Sequence, residues 1–146
     1  MAFRGHYEHS LDSKDRITVP ARFRAALSEG VVLFAGLDPC VEVWASDAYE
    51  SFHDTFLAGL NPLGRKARVL RRRFNAEAHD DSLDSAGRVR VPKHLLDHAA
   101  LKGECVVVGV ADHLEIWSAK AWKSESEELG ETASDMAEAL AEGDDS

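Results

Sequence analysis

The run Ser10-Leu11-Asp12-Ser13-Lys14-Asp15-Arg16-Ile17-Thr18-Val19-Pro20 returns as Ser82-Leu83-Asp84-Ser85-Ala86-Gly87-Arg88-Val89-Arg90-Val91-Pro92, every position displaced by 72. The correspondence continues after one inserted residue: Gly36, Val41-Glu42-Val43-Trp44 and Tyr49 recur as Gly109, Leu114-Glu115-Ile116-Trp117 and Trp122, now displaced by 73. Such a chain is two copies of one module, and any fold must accommodate both. Each half is roughly 60 to 70 residues, near the size at which a lone core is marginal. The halves are therefore expected to pack on each other or on neighbouring subunits.

In the first copy, residues 7–11 and 16–19 read as short strands joined through Asp12-Ser13-Lys14-Asp15, a hairpin connection rich in turn formers. Gly87 takes positive φ freely in the second turn. Asp15, at the same place in the first, relies on an acid's weaker tolerance for the left-handed region. Pro20 and Pro92 end their strands and suit the first turns of helices over 21–27 and 93–100. Apolar runs follow in pairs, 31–37 with 41–44 and 105–110 with 114–117. Ser46 is placed to cap a helix bearing Tyr49, Phe52 and Phe56. Beyond Gly59-Leu60-Asn61-Pro62, the basic run sets Ala67, Leu70 and Phe74 on one face. The expected organisation is a first module over 5–51, a helical basic connector over 52–76, a second module over 77–124, and an acidic tail over 125–146, disordered or a frayed helix.

The net charge of −9 argues against a nucleic-acid partner only until its distribution is read. Residues 125–146 hold nine of the 26 acids and no base, which leaves 17 acids against all 17 bases in the rest of the chain. Arg65, Lys66, Arg68, Arg71, Arg72 and Arg73 cluster without an acid among them, while Arg4, Lys14, Arg16, Arg22 and Arg24 surround the first repeat. No run of about 18 apolar residues occurs and the opening residues lack the apolar stretch of a secretory signal, so a soluble cytoplasmic protein is expected, with no membrane partner. Cys40 and Cys105 stand apart from any CxxC or paired histidines and read as small core hydrophobes; no metal is expected. The seven histidines are scattered, no nucleophile elbow or phosphate loop appears, and His79-Asp80-Asp81 lacks a second cluster. Neither an enzyme, a cofactor nor a small-molecule substrate is therefore expected.

The two Asp-x-x-x-Arg motifs, Asp12 to Arg16 and Asp84 to Arg88, stand with Phe3-Arg4-Gly5-His6-Tyr7, Pro20-Ala21-Arg22-Phe23-Arg24 and Gly36-Leu37-Asp38. Together they resemble the MraZ family, bacterial transcriptional regulators of the division and cell wall gene cluster, over approximately residues 3–122. The resemblance implies a mainly β, α+β fold: two AbrB-type swapped-hairpin modules forming a β-barrel pseudo-dimer with flanking helices. It also implies a homo-oligomeric ring of about eight chains, sequence-specific binding of double-stranded DNA at tandem promoter repeats, repression as the usual outcome, and a nucleoid-associated location. In such proteins the Asp-x-x-x-Arg loop contacts DNA, which carries over to Asp12, Lys14 and Arg16. Asp15 departs from the glycine usual at its position.

Physical chemistry separates the roles of these residues. The short carboxylates of Asp12 and Asp84 can accept backbone N–H groups of their turns, so with Asp15 and Gly87 they shape the loops. Arg16 can donate bidentately to guanine or phosphate, Lys14 offers a point charge to phosphate, and Asp15 repels it. An Asp12–Arg16 ion pair that merely closes the hairpin is the alternative. The second tip lacks a lysine, so the first copy is expected to dominate, with Arg88, Arg90 and Lys93 as secondary candidates and Arg88 and Asp84 mainly shaping the pseudo-dimer. The arginine run can follow phosphates or pack against acids of the tail or a neighbour. The acidic tail can compete with DNA for these bases or simply be solvated. The rival function is an antitoxin-like or scaffold interaction protein on the same fold.

Overall fold

The computed structural model describes residues 2–143, so Asp144 and Asp145 of the acidic tail lie outside the described residues. The first copy contains β1 (His6–Ser10), β2 (Arg16–Thr18), two 3-10 turns (Ala21–Phe23 and Ala25–Leu27), β3 (Val31–Ala35), β4 (Val41–Ala45) and α1 (Ser46–Phe52). A wider π-type turn, His53–Leu57, extends α1, and α2 (Arg65–Ala76) follows. The second copy repeats the plan with β5 (His79–Asp81), β6 (Arg88–Arg90), α3 (Lys93–Ala99), β7 (Glu104–Gly109), β8 (Leu114–Ser118) and α4 (Ala119–Ala141).

Strands are exchanged between the copies. A six-stranded antiparallel sheet runs β1-β7-β8-β4-β3-β5, and β2 pairs only with β6 in a two-stranded ribbon. Each copy thus lends its first strand to the other's hairpin, β1 to β7 and β5 to β3. The register reveals a pseudo-twofold axis: equivalent residues face each other at Ile17–Val89 in the ribbon and at Glu42–Glu115 between β4 and β8. The hairpin expected from 7–11 and 16–19 does not form, because β1 and β2 ladder with different partners. A closed barrel is likewise absent among the described residues; β1 and β5 are free edges of the sheet. The Asp-x-x-x-Arg loop carries the chain off one ladder onto another, and ribbon strands of three residues are too short to bridge back.

The ribbon closes over one face of the sheet. Ile17, Val19, Val89 and Val91 from the ribbon side meet Val31, Leu33, Val41, Val43, Val107, Leu114 and Ile116, with Phe23, Leu27 and Leu95 filling the flanks. Alternation of side chains along each strand sends the remaining residues to the opposite face, where two separate clusters form. Val32, Phe34 and Trp44 pack under α1 and α2 through Tyr49, Leu57 and Phe74. Cys40, Val106, Val108 and Trp117 pack under the start of α4 through Ala121 and Trp122. Both cysteines are buried, as expected of small core hydrophobes.

Several local expectations change. Ser46 does not cap α1: the N-cap is Ala45, without a side-chain bond, whereas Ser118 at the matching place in copy two accepts from the Ala121 N–H (3.0 Å). Residues 21–27 form 3-10 turns in place of one α-helix. Leu70 is 39% exposed and Phe56 61%, so only Ala67 and Phe74 of the α2 face are covered. The segment from residue 125, expected to be disordered or a frayed helix, is helix to Ala141 in this structure. The Ser118 cap and the anchoring of Trp122 on Trp117 (5.8 Å between ring centres) supply its nucleus, and propagation costs less than nucleation. No helix among the described residues is long and apolar enough to cross a membrane.

Candidate nucleic-acid interface

The two Asp-x-x-x-Arg loops adopt the same hydrogen-bonded form. Asp12 Oδ1 accepts from the N–H groups of Lys14 (2.8 Å) and Arg16 (3.0 Å), and Oδ2 accepts from Arg16 Nε (2.7 Å). Asp84 accepts in the same way from Ala86 N–H (3.0 Å), Arg88 N–H (2.9 Å) and Arg88 Nε (2.8 Å). The Arg16 N–H above all, then the Lys14 N–H and the Arg16 guanidinium, hold the Asp12 carboxyl down at about 2. The Arg88 N–H leads the same lowering at Asp84. The Asp12–Arg16 ion pair therefore exists, and Asp84–Arg88 repeats it in the second copy. It consumes Nε and leaves the two terminal nitrogens of each guanidinium, the pair suited to bidentate donation.

Asp15 adopts φ 58° and Gly87 φ 75°, so the departure from glycine does not alter the turn's class. Their carbonyls stitch the copies together: Val91 donates to Asp15 O (2.9 Å) and Val19 to Gly87 O (2.9 Å). Of these two positions, Gly87 is also crowded by a side chain. Arg24, bound through Nε to Val19 O (2.9 Å), lies where a Cβ on Gly87 would stand.

The ribbon supplies a feature that residue-by-residue reading did not assemble. Ile17 and Val89 point into the core, 1% and 2% exposed, so their neighbours Arg16, Thr18, Arg88 and Arg90 face outward together. Arg16 stands opposite Arg90, and Thr18 opposite Arg88. Like charges directly opposed cost stability, and among the described residues only Asp12 offsets the pair, through Arg16. Arg90 is exposed and has no side-chain partner among the described residues. The signal was present in the alternations Arg16-Ile17-Thr18 and Arg88-Val89-Arg90, but it has meaning only once the strands pair.

The other candidates divide. Lys14 is exposed at the first tip and Arg4 is exposed at the chain's start. Arg22 donates to the Tyr7 hydroxyl (2.9 Å) and covers Phe23, and Arg24 is tied as described. Lys93 pairs with Asp97 within α3 (3.2 Å). In the arginine run, Arg73 donates to the carbonyls of Ala35 (2.8 Å) and Gly36 (3.0 Å), closing the end of β3, and Arg68 donates to Leu63 O (2.6 Å). Arg65, Lys66, Arg71 and Arg72 are exposed. The run is thus part packing and part free charge.

A family model described as "MraZ protein, putative antitoxin-like" matches residues 2–70 and again 74–143, once per copy. The chain belongs to the MraZ family. A Lactobacillus gasseri protein named transcriptional regulator MraZ is 40% identical over 138 residues, 94% of this chain and 96% of its own length. The Alkaliphilus metalliredigens protein of the same name is 42% identical over 120 residues, 82% of this chain and 83% of the relative. That of Symbiobacterium thermophilum is 36% identical over 136 residues, 93% and 98% respectively. The double match confirms that membership in the MraZ family extends through both copies.

Proposed function

We propose that this chain is a transcriptional regulator that binds double-stranded DNA through the β2–β6 ribbon and its flanking loops, acting as a repressor of the division and cell wall gene cluster. The observation that carries the reading is the outward row of Arg16, Arg88 and Arg90, bracketed by two loops of identical hydrogen bonding. A two-stranded ribbon fits the major groove, and arginine is the commonest specific reader of guanine there. Asp12 and Asp84 act as supports: they hold each Nε so that the terminal nitrogens face outward at no further ordering cost. The exposed Lys14 adds a phosphate contact, with Arg65, Lys66, Arg71 and Arg72 available for a second one.

On this reading the strand exchange corresponds to AbrB-type swapped-hairpin pairing, and chains assemble into a ring that meets tandem promoter repeats. A ring raises the effective concentration of each successive contact, so several boxes are held far more tightly than one. Fluorescence anisotropy on the protein's own upstream region at two salt concentrations tests the reading. Binding should fall with log salt at about −0.9 per phosphate neutralised, and a second box should tighten it. Failure to distinguish that region from unrelated duplex would move the balance to the antitoxin-like alternative, which the wording of the family description favours.

A further inference from the structure

Away from the ribbon, the pseudo-twofold axis passes between Glu42 on β4 and Glu115 on β8, cross-strand partners of like charge. Both side chains are mostly covered, 16% and 17% exposed. Two carboxylates so placed repel one another. Each accepts from an indole, Glu42 from Trp44 Nε1 (3.0 Å) and Glu115 from Trp117 Nε1 (2.9 Å), but neither is bridged by a lysine or arginine among the described residues. Among the described residues His113 is the single basic group in reach, with Nε2 3.4 Å from Glu42 and 3.2 Å from Glu115, and its Nδ1 is taken by Asp112 (2.7 Å).

The repeat then adds a thiol. Cys40 and His113 occupy equivalent positions, displaced by 73 like the glutamates, so the axis relates a sulfur donor to a nitrogen donor. His113 stacks on Trp44 (4.7 Å, 5° between planes), while Cys40 packs in the cluster of Trp117. Sγ of Cys40 and one oxygen from each glutamate lie within 4.8 Å of one another. We propose that Cys40, Glu42 and Glu115 form a zinc site on the pseudo-twofold axis, linking the two copies, with His113 beside it as a hydrogen-bonding partner of both glutamates.

A thiolate donor selects zinc over magnesium or calcium, two carboxylates bring the protein ligands to three, and water completes four. Bond lengths near 2.0–2.3 Å require ligand atoms roughly 3.5 Å apart, so Cys40 Sγ and the two glutamate oxygens, within 4.8 Å of one another, need only draw together by about 1 Å. The ion would supply the positive charge that one imidazole cannot. Burial, then the facing Glu115 and Glu42, push the Cys40 thiol up, so binding releases the thiol proton to solvent as the S–Zn bond forms. Neither copy alone carries a zinc-like ligand spacing; the sheet draws the donors from both.

Cobalt(II) and zinc(II) titrations of the EDTA-treated full chain test this. One ion per chain is expected, with a thiolate-to-cobalt charge-transfer band, tetrahedral visible bands, and a rise in thermal midpoint on zinc addition. Cys40→Ser should remove the charge-transfer band. Cys40→Ser and Glu115→Gln, each checked for folding by circular dichroism, should weaken zinc by more than the roughly 10- to 100-fold that loss of a supporting residue costs. Absence of stoichiometric binding in the wild type, or binding with no thiolate band, would overturn the proposal. So would affinity unchanged in both variants, which would locate the ion on the acidic α4 or surface histidines.

Discussion

At the scale of single residues, Asp12 and Arg16 act as one unit. Asp12→Ala frees three donors in the loop and lets the Arg16 side chain wander, so operator affinity should fall by roughly tenfold, the order of one charge-assisted bond. Arg16→Ala should cost about 1–3 kcal/mol of binding and blur sequence preference, while Arg88→Ala should cost less because Ala86 leaves its loop without the charge of Lys14. Equal losses in a gel-shift titration would contradict that asymmetry. Because the Asp12 carboxyl is held down at about 2, below its unfolded value near 3.9, the loop's contribution is fully present above about pH 4 and is lost as pH falls through 2. The amide resonances of Lys14 and Arg16 report it. Gly87→Ala should destabilise by more than about 1 kcal/mol, since a Cβ there displaces Arg24 from Val19 O. Asp15→Gly should shift stability by less than that and tighten DNA binding by removing an acid.

At the scale of elements, α2 packs through one face and leaves exposed charge on another. Arg73→Ala removes donors from the carbonyls of Ala35 and Gly36 and should lower stability by roughly 1.5–3 kcal/mol. Arg72→Ala, on the exposed side, should leave the melting curve alone and reduce only the salt slope. The same division shows what was legible beforehand. Composition marked the basic run and its amphipathic pattern, but which arginine closes β3 depends on packing across 38 positions of chain. The paired apolar runs predicted β3 with β4 and β7 with β8 correctly, since their contacts are local. Strand exchange was invisible to local pattern: 7–11 and 16–19 carry every sign of a hairpin, and only long-range pairing with β7 and β6 decides otherwise. The Ser46 cap failed because Ala45 occupies the boundary, and α4 takes the helical one of the two alternatives open for the tail.

At the scale of the whole molecule, neither half can satisfy itself. β1 finds its partner in β7, and β5 in β3. Residues 1–76 and 77–146 expressed separately should each be largely unfolded by circular dichroism, and mixing them should restore the spectrum of the intact chain. Two fragments that fold alone would show that exchange is dispensable.

The pairing of two unlike copies about the Ile17–Val89 contact has a further consequence. A homodimer of identical subunits is bound to palindromic targets, because its symmetry is mirrored in the half-sites it reads. Here a lysine-tipped and an alanine-tipped finger descend from separate stretches of gene, each open to mutation without altering the other. If the proposed DNA binding holds, a single polypeptide can therefore settle on a lopsided box with a direction along the promoter.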